Sequence, residues 1–124
     1  MDETFEAALV EHLSALQARD VERFGATLGE HVTVVDGQGT ITDGRDEVLQ
    51  SHAEWFAMPV GWRFDYTVLV TRELADAGLA LIDVAYRHGE DAEPSRFLLS
   101  LLFERTSGGW RFVYDQNTPL ITAG

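Results

Sequence analysis

Apolar residues recur at spacings of three and four through the first part of the chain and at spacings of two through the rest. Residues 3–18 put Phe5, Ala8, Leu9, His12, Leu13 and Leu16 on one helical face, with Thr4 or Asp2 as the cap. Asp20 caps a short second helix that turns Val21, Phe24 and Leu28 inward and is ended by Gly29. His31-Val32-Thr33-Val34-Val35-Asp36 reads as a β-branched strand, and Gly37-Gln38-Gly39 as a turn. Thr42 or Asp43 then caps a third helix that runs to about Met58, where Pro59 blocks it. From Trp62 the period is two: Trp62, Phe64, Tyr66, Val68 and Val70 alternate with Arg63, Asp65, Thr67 and Leu69. Strands follow over residues 79–88, 95–106 and 110–118. The short Ser107-Gly108-Gly109 link and the acidic 89–94 loop make them antiparallel neighbours.

Helices first and long strands afterwards predict an α+β fold, with three N-terminal helices on one face of a mostly antiparallel sheet. The strand over 97–103 is apolar on both faces, with Phe97, Leu99, Leu101 and Phe103 on one and Leu98 and Leu102 on the other. A half-exposed strand would alternate with polar residues. The helices cover one face, and the preferred cover for the other is a second copy of the chain, giving a homodimer through the sheet. A small lid is the alternative.

Composition narrows the classes. The 124 residues, 45% hydrophobic, fit one domain spanning 1–124 with a real core and no linker or repeat. A net charge of −12, from 21 acidic against nine basic residues, repels phosphate backbones and anionic membranes, so neither nucleic acid nor membrane is an expected partner. No apolar run reaches the roughly 20 residues of a membrane helix. The first residues are acidic where a signal peptide is basic, and there is no cysteine for disulfides, thiol chemistry or thiolate metal sites. A cytoplasmic protein is expected. His12, His31, His52 and His88 form no close-spaced pair, so no metal site is expected, and neither a nucleotide-binding glycine loop nor a nucleophile elbow is present.

The final strand, Gly109-Trp110-Arg111-Phe112-Val113-Tyr114-Asp115-Gln116-Asn117-Thr118-Pro119, passes from an apolar start to a block of amides and a carboxylate. With the element order, it resembles the nuclear transport factor 2-like fold, and in particular the last strand of SnoaL-like proteins and of the calcium/calmodulin-dependent kinase II association domain. Many of those carry Trp-x-(Ile/Val)-x-His-x-His-x-Ser; here Tyr114 and Gln116 stand at the two histidines and Thr118 at the serine. The resemblance implies a curved sheet and helices enclosing a conical cavity, commonly a dimer, and mostly no metal or organic cofactor. It covers isomerases, dehydratases, epoxide hydrolases, polyketide cyclases and non-catalytic binding or assembly domains.

Two function classes follow. One is a cofactor-independent acid–base enzyme acting on a small hydrophobic molecule. The other is a non-catalytic ligand-binding or oligomerisation domain, favoured by the loss of both family histidines. A carboxylate or imidazole in a dry cone has a pKa moved toward neutrality. The first catalytic candidate is Asp83, which interrupts the apolar run Leu81-Ile82-Asp83-Val84-Ala85; the second is His52, one turn from Val48 and close to Trp55 and Phe56. Phe24, Trp55, Phe56, Trp62, Tyr66, Leu98, Tyr114 and Gln116 are the expected lining. If Trp110 and Phe112 face the cavity, strict alternation brings Tyr114 and Gln116 in as well; the opposite phase brings in Asp115 and Asn117. Sequence does not choose between them.

Overall fold

A computed structural model describes residues 3–120. The chain begins with α1 (Phe5–Gln17), capped by the Thr4 hydroxyl on the Ala7 N–H; Asp2 lies outside the described residues. All six apolar-face residues expected of α1, His12 included, are buried. The short α2 (Val21–Ala26) is capped by Asp20, and it stops at Thr27, not at Gly29. Gly29 instead lies in β1 (Leu28–Val35), where its bare Cα packs against Val113.

A short β2 (Ile41–Asp43) precedes α3 (Arg45–Phe56). Thr42 and Asp43 do not cap α3. They are held in β2, and the Thr33 hydroxyl donates to the Asp43 carboxylate across the ladder at 2.6 Å. Gly44 takes the cap position at φ 99°, a conformation that costs glycine nothing. Four long strands complete the chain: β3 (Arg63–Glu73), β4 (Ala77–Arg87), β5 (Ser95–Thr106) and β6 (Gly109–Pro119).

They form one curved six-stranded sheet in the order β2-β1-β6-β5-β4-β3. The pairings are antiparallel except that β1 and β6 run parallel. Single extra residues, Leu69 in β3 and Val113 in β6, break the registers with β4 and β5. Such bulges raise local twist and reverse the side-chain phase beyond them.

The concave face carries Ala80, Ile82, Val84, Leu99, Leu101, Phe103, Trp110 and Phe112, all buried, and the helices cover it. Phe5, Phe103, Phe112 and Trp110 make edge-on and tilted ring contacts in the core. Gly78 sits beneath Phe5 so closely that a Cβ there would strike the ring. Among the described residues no helix covers the convex face. On it, cross-strand neighbours Leu79, Leu102 and Tyr114 form one row, with Leu79 and Leu102 exposed. No helix among the described residues is long and apolar enough to cross a membrane.

Candidate functional site

A cavity of about 430 Å³ opens between α1, α3 and the concave face of the sheet. Leu16, Val34, Phe64, Phe97 and Leu99 give it apolar walls, and Asp115, Asn117, His52, Ser51 and Tyr86 bring polar atoms to it. Among the described residues no lysine or arginine lines it.

Asp115 reaches this space because of the bulge. Leu102 faces Tyr114, yet the next residue of β5, Phe103, faces Phe112, so Val113 is left over. Trp110 and Phe112 point inward before it, and Asp115 and Asn117 point inward after it. Asp115 is thereby set beside Leu101 on β5 and Val34 on β1, 7% exposed. Its Oδ1 is the one buried side-chain oxygen or nitrogen among the described residues that has no hydrogen-bond partner. Burial pushes its pKa up to about 8, so near pH 7 it is chiefly a neutral carboxylic acid with a proton to give.

His52 lies on α3 and stacks on Phe24 with ring centres 4.5 Å apart. Its Nδ1 is 2.8 Å from the Val48 carbonyl oxygen, which can only accept, so Nδ1 carries the hydrogen. Nε2 is then the basic nitrogen. Burial lowers its pKa, against the opposing pull of the Val48 bond, and keeps the ring neutral. Beneath it, on the far side of Phe24, His12 is fully buried between Phe24 and Phe112. His12 Nδ1 donates to the Thr27 hydroxyl at 2.7 Å, which donates in turn to the Phe24 carbonyl. Burial, with a smaller contribution from His52, pushes His12 down to about 3. Asn117 spends its amide N–H₂ on the Val35 carbonyl, leaving its oxygen as an acceptor. At the rim, the Trp55 indole N–H donates to the Tyr86 hydroxyl, which lies 2.7 Å from His88 Nδ1.

The placement of the expected residues divides. His52 and Trp55 line the cavity. Phe24, Phe56 and Trp62 are core residues behind that lining, at 1%, 6% and 3% exposure. Tyr66 is on the concave face opposite Val84 but beyond the cavity. Asp83 is not in the cavity: it points from the convex face, between inward-facing Ile82 and Val84, and Arg96 binds its carboxylate at 2.5 Å. Leu98, its cross-strand neighbour, shares that face. Tyr114 and Gln116 are also on the convex side, the Tyr114 hydroxyl donating to Gln116 Oε1 at 2.7 Å. Strict alternation from Trp110 would bring them inside, and the bulge prevents it. Phe97, Leu99 and Tyr86 also line the cavity, beyond the residues expected there; the run Ile82, Val84, Tyr86 at period two is the signal that points to Tyr86, and it also turns Asp83 outward. Among the described residues no group of three His, Asp or Glu is placed to hold a metal ion.

The sequence matches the family model of the SnoaL-like domain over residues 6–121. No curated protein matches it. Among solved structures, a proposed calcium/calmodulin-dependent protein kinase type II association domain from Thiobacillus denitrificans superposes with a TM-score of 0.84 at 22% identity, covering 98% of each chain. A proposed dehydratase of the NTF2-like family from Streptomyces avermitilis gives 0.81 at 18% identity over 94% of each chain. A ketosteroid isomerase-like protein from Erwinia carotovora atroseptica gives 0.77 at 17% identity over 94% of each chain. At these identities the likeness is one of fold.

Proposed function

Since the chain belongs to the SnoaL-like domain family, we propose that its cavity is the active site of a cofactor-independent acid–base enzyme of isomerase or dehydratase type, acting on a small, largely apolar molecule. Asp115 and His52 are the working pair in this reading. The observation that carries it is the unpartnered Oδ1 of Asp115, buried against apolar walls in the same cavity as His52. A buried polar atom without a partner is destabilising, and such groups are retained where a ligand completes them.

The pair divides the chemistry by environment. Asp115 holds a proton near pH 7 and donates it to an oxygen of the substrate, either a carbonyl becoming an enol or a hydroxyl leaving as water. His52, with hydrogen fixed on Nδ1, accepts at Nε2 the proton released from the adjacent carbon. In isomerisation, the imidazolium returns that proton to a different carbon while the oxygen's proton goes back to Asp115. In dehydration, the C–O bond breaks as the carbon–carbon double bond forms, and the proton on His52 passes back to Asp115. Burial favours the uncharged form of both groups, raising the pKa of Asp115 and lowering that of His52.

The test is a turnover screen of uncharged cyclic enones and β-hydroxyketones, followed by ultraviolet absorbance. Wild-type protein is expected to convert at least one of them. Asp115→Asn, close to isosteric, should lower that rate by about 10²- to 10⁴-fold with the fold intact. Tight binding of these compounds without conversion would replace this reading with that of a ligand-binding module.

A further inference from the structure

Arg19, in the turn between α1 and α2, has a φ of 56°, the one positive φ at a non-glycine residue among those described. A glycine would occupy this left-handed conformation without strain. The side chain present instead makes two backbone hydrogen bonds and a ring contact. Its Nη2 donates to the Trp62 carbonyl at 2.6 Å and Nη1 to the Val60 carbonyl at 3.4 Å, while the guanidinium lies 4.2 Å above the Trp62 ring. A planar cationic fork can stack and donate at once, as an ammonium cannot.

Trp62 passes this restraint onward. Its ring stacks on Trp55 at 4.4 Å and 20°, and its indole N–H donates to the Trp55 carbonyl. The Trp55 indole N–H is bonded to the Tyr86 hydroxyl at 3.1 Å, and Trp55 and Tyr86 are both cavity wall. Among the described residues, the hydrogen bonds that tie the link between α3 and β3 to the α1–α2 turn all come from Arg19.

We infer that Arg19 is a positioning residue for the cavity: from outside it, acting through Trp62, it fixes the Trp55 indole and with it the Trp55–Tyr86 rim. The functional weight of that rim rests on the reading of the cavity as an active site, but the contact chain is testable without any substrate.

The test uses the indole N–H signals of Trp55, Trp62 and Trp110, the three tryptophans of the chain, in ¹⁵N-labelled protein. Arg19→Met should shift the Trp55 and Trp62 signals and speed exchange of the Trp55 indole hydrogen with water by about tenfold or more, a local opening. Trp110 should not respond. Arg105→Met is the control, since Arg105 stands over Trp110, and it should move that signal alone. Arg19→Lys should recover part of the Trp55 protection. Arg19→Gly removes the same contacts while relieving the backbone, so it should melt no lower than Arg19→Met yet exchange as fast at Trp55. An unchanged Trp55 signal in Arg19→Met, or failure of both Arg19→Met and Arg19→Gly to fold, overturns the inference. Loss of Trp55 protection in a protein whose wild type converts nothing in the turnover screen would count against the enzyme reading alone.

Discussion

Asp115 links the chemistry of the site to the stability of the fold. Its native pKa of about 8 lies above the value of about 3.9 in an unfolded chain, so between those limits the native state binds the extra proton. Stability therefore falls as pH rises through that range and levels off above about 8. His12 acts in the opposite sense. Its native pKa of about 3 lies below the ordinary 6.5, so its contribution is present above pH 6.5 and is lost as pH falls toward 3. The lowered His52 pKa adds to that loss in acid. The window from about pH 6.5 to 8 isolates Asp115. Urea unfolding at pH 6.5, 7.25 and 8 should show wild-type stability declining, and Asp115→Asn should be flat there. A decline of equal slope in both proteins would mean that Asp115 is ionised throughout.

At the scale of elements, two features aim the site: the extra residue in β6 and the close approach of α1 to the sheet. The bulge at Val113 gives one strand two phases, so that Trp110 and Phe112 belong to the core and Asp115 and Asn117 to the cavity. Helix α1 comes near enough to close the cone because Phe5 lies on the bare Cα of Gly78 in β4. Gly78→Ala is therefore an overpacking change in an inflexible place. It should destabilise the protein by about 1–3 kcal/mol, measured by denaturant unfolding. Gly39→Ala, whose Cβ would meet nothing, serves as the comparison; there the cost comes from a φ of 84° and not from a clash.

Over the whole molecule, the convex face is what the helices leave uncovered. Leu79 and Leu102 are 43% and 36% exposed there, in one row with Tyr114. The rest of this acidic surface, at a net charge of −12, favours dispersal of copies. We propose that a second copy covers the face, sheet against sheet, because that removes the exposed Leu79, Leu102 and Tyr114 row from water. Light scattering should give about twice the 13.8 kDa chain mass, and Leu102→Glu should halve it while keeping the fold. A wild-type chain that stays monomeric at micromolar concentration would refute the dimer.

The periodicities alone determined the order and type of the long elements, since burial of one face imposes period 3.6 on helices and 2 on strands. The pattern places strand β5 at its observed limits and matches the buried face of α1 residue by residue, because both patterns are long and uninterrupted. The two apolar faces of β5 followed from the same rule. What tertiary structure decided was phase. A one-residue bulge changes nothing in local composition, yet it reverses every side chain after it, and so it exchanged Tyr114 and Gln116 for Asp115 and Asn117. Asp83 is flanked by apolar residues on both sides, and the period-two run Ile82, Val84, Tyr86 is the signal in its own strand that turns it outward; in the fold Ile82 and Val84 are buried and Arg96 on β5 holds the Asp83 carboxylate on the opposite face. The raised proton affinity of Asp115 is tertiary in origin: it comes from Leu101 and Val34 on neighbouring strands, which are near only once the sheet is assembled.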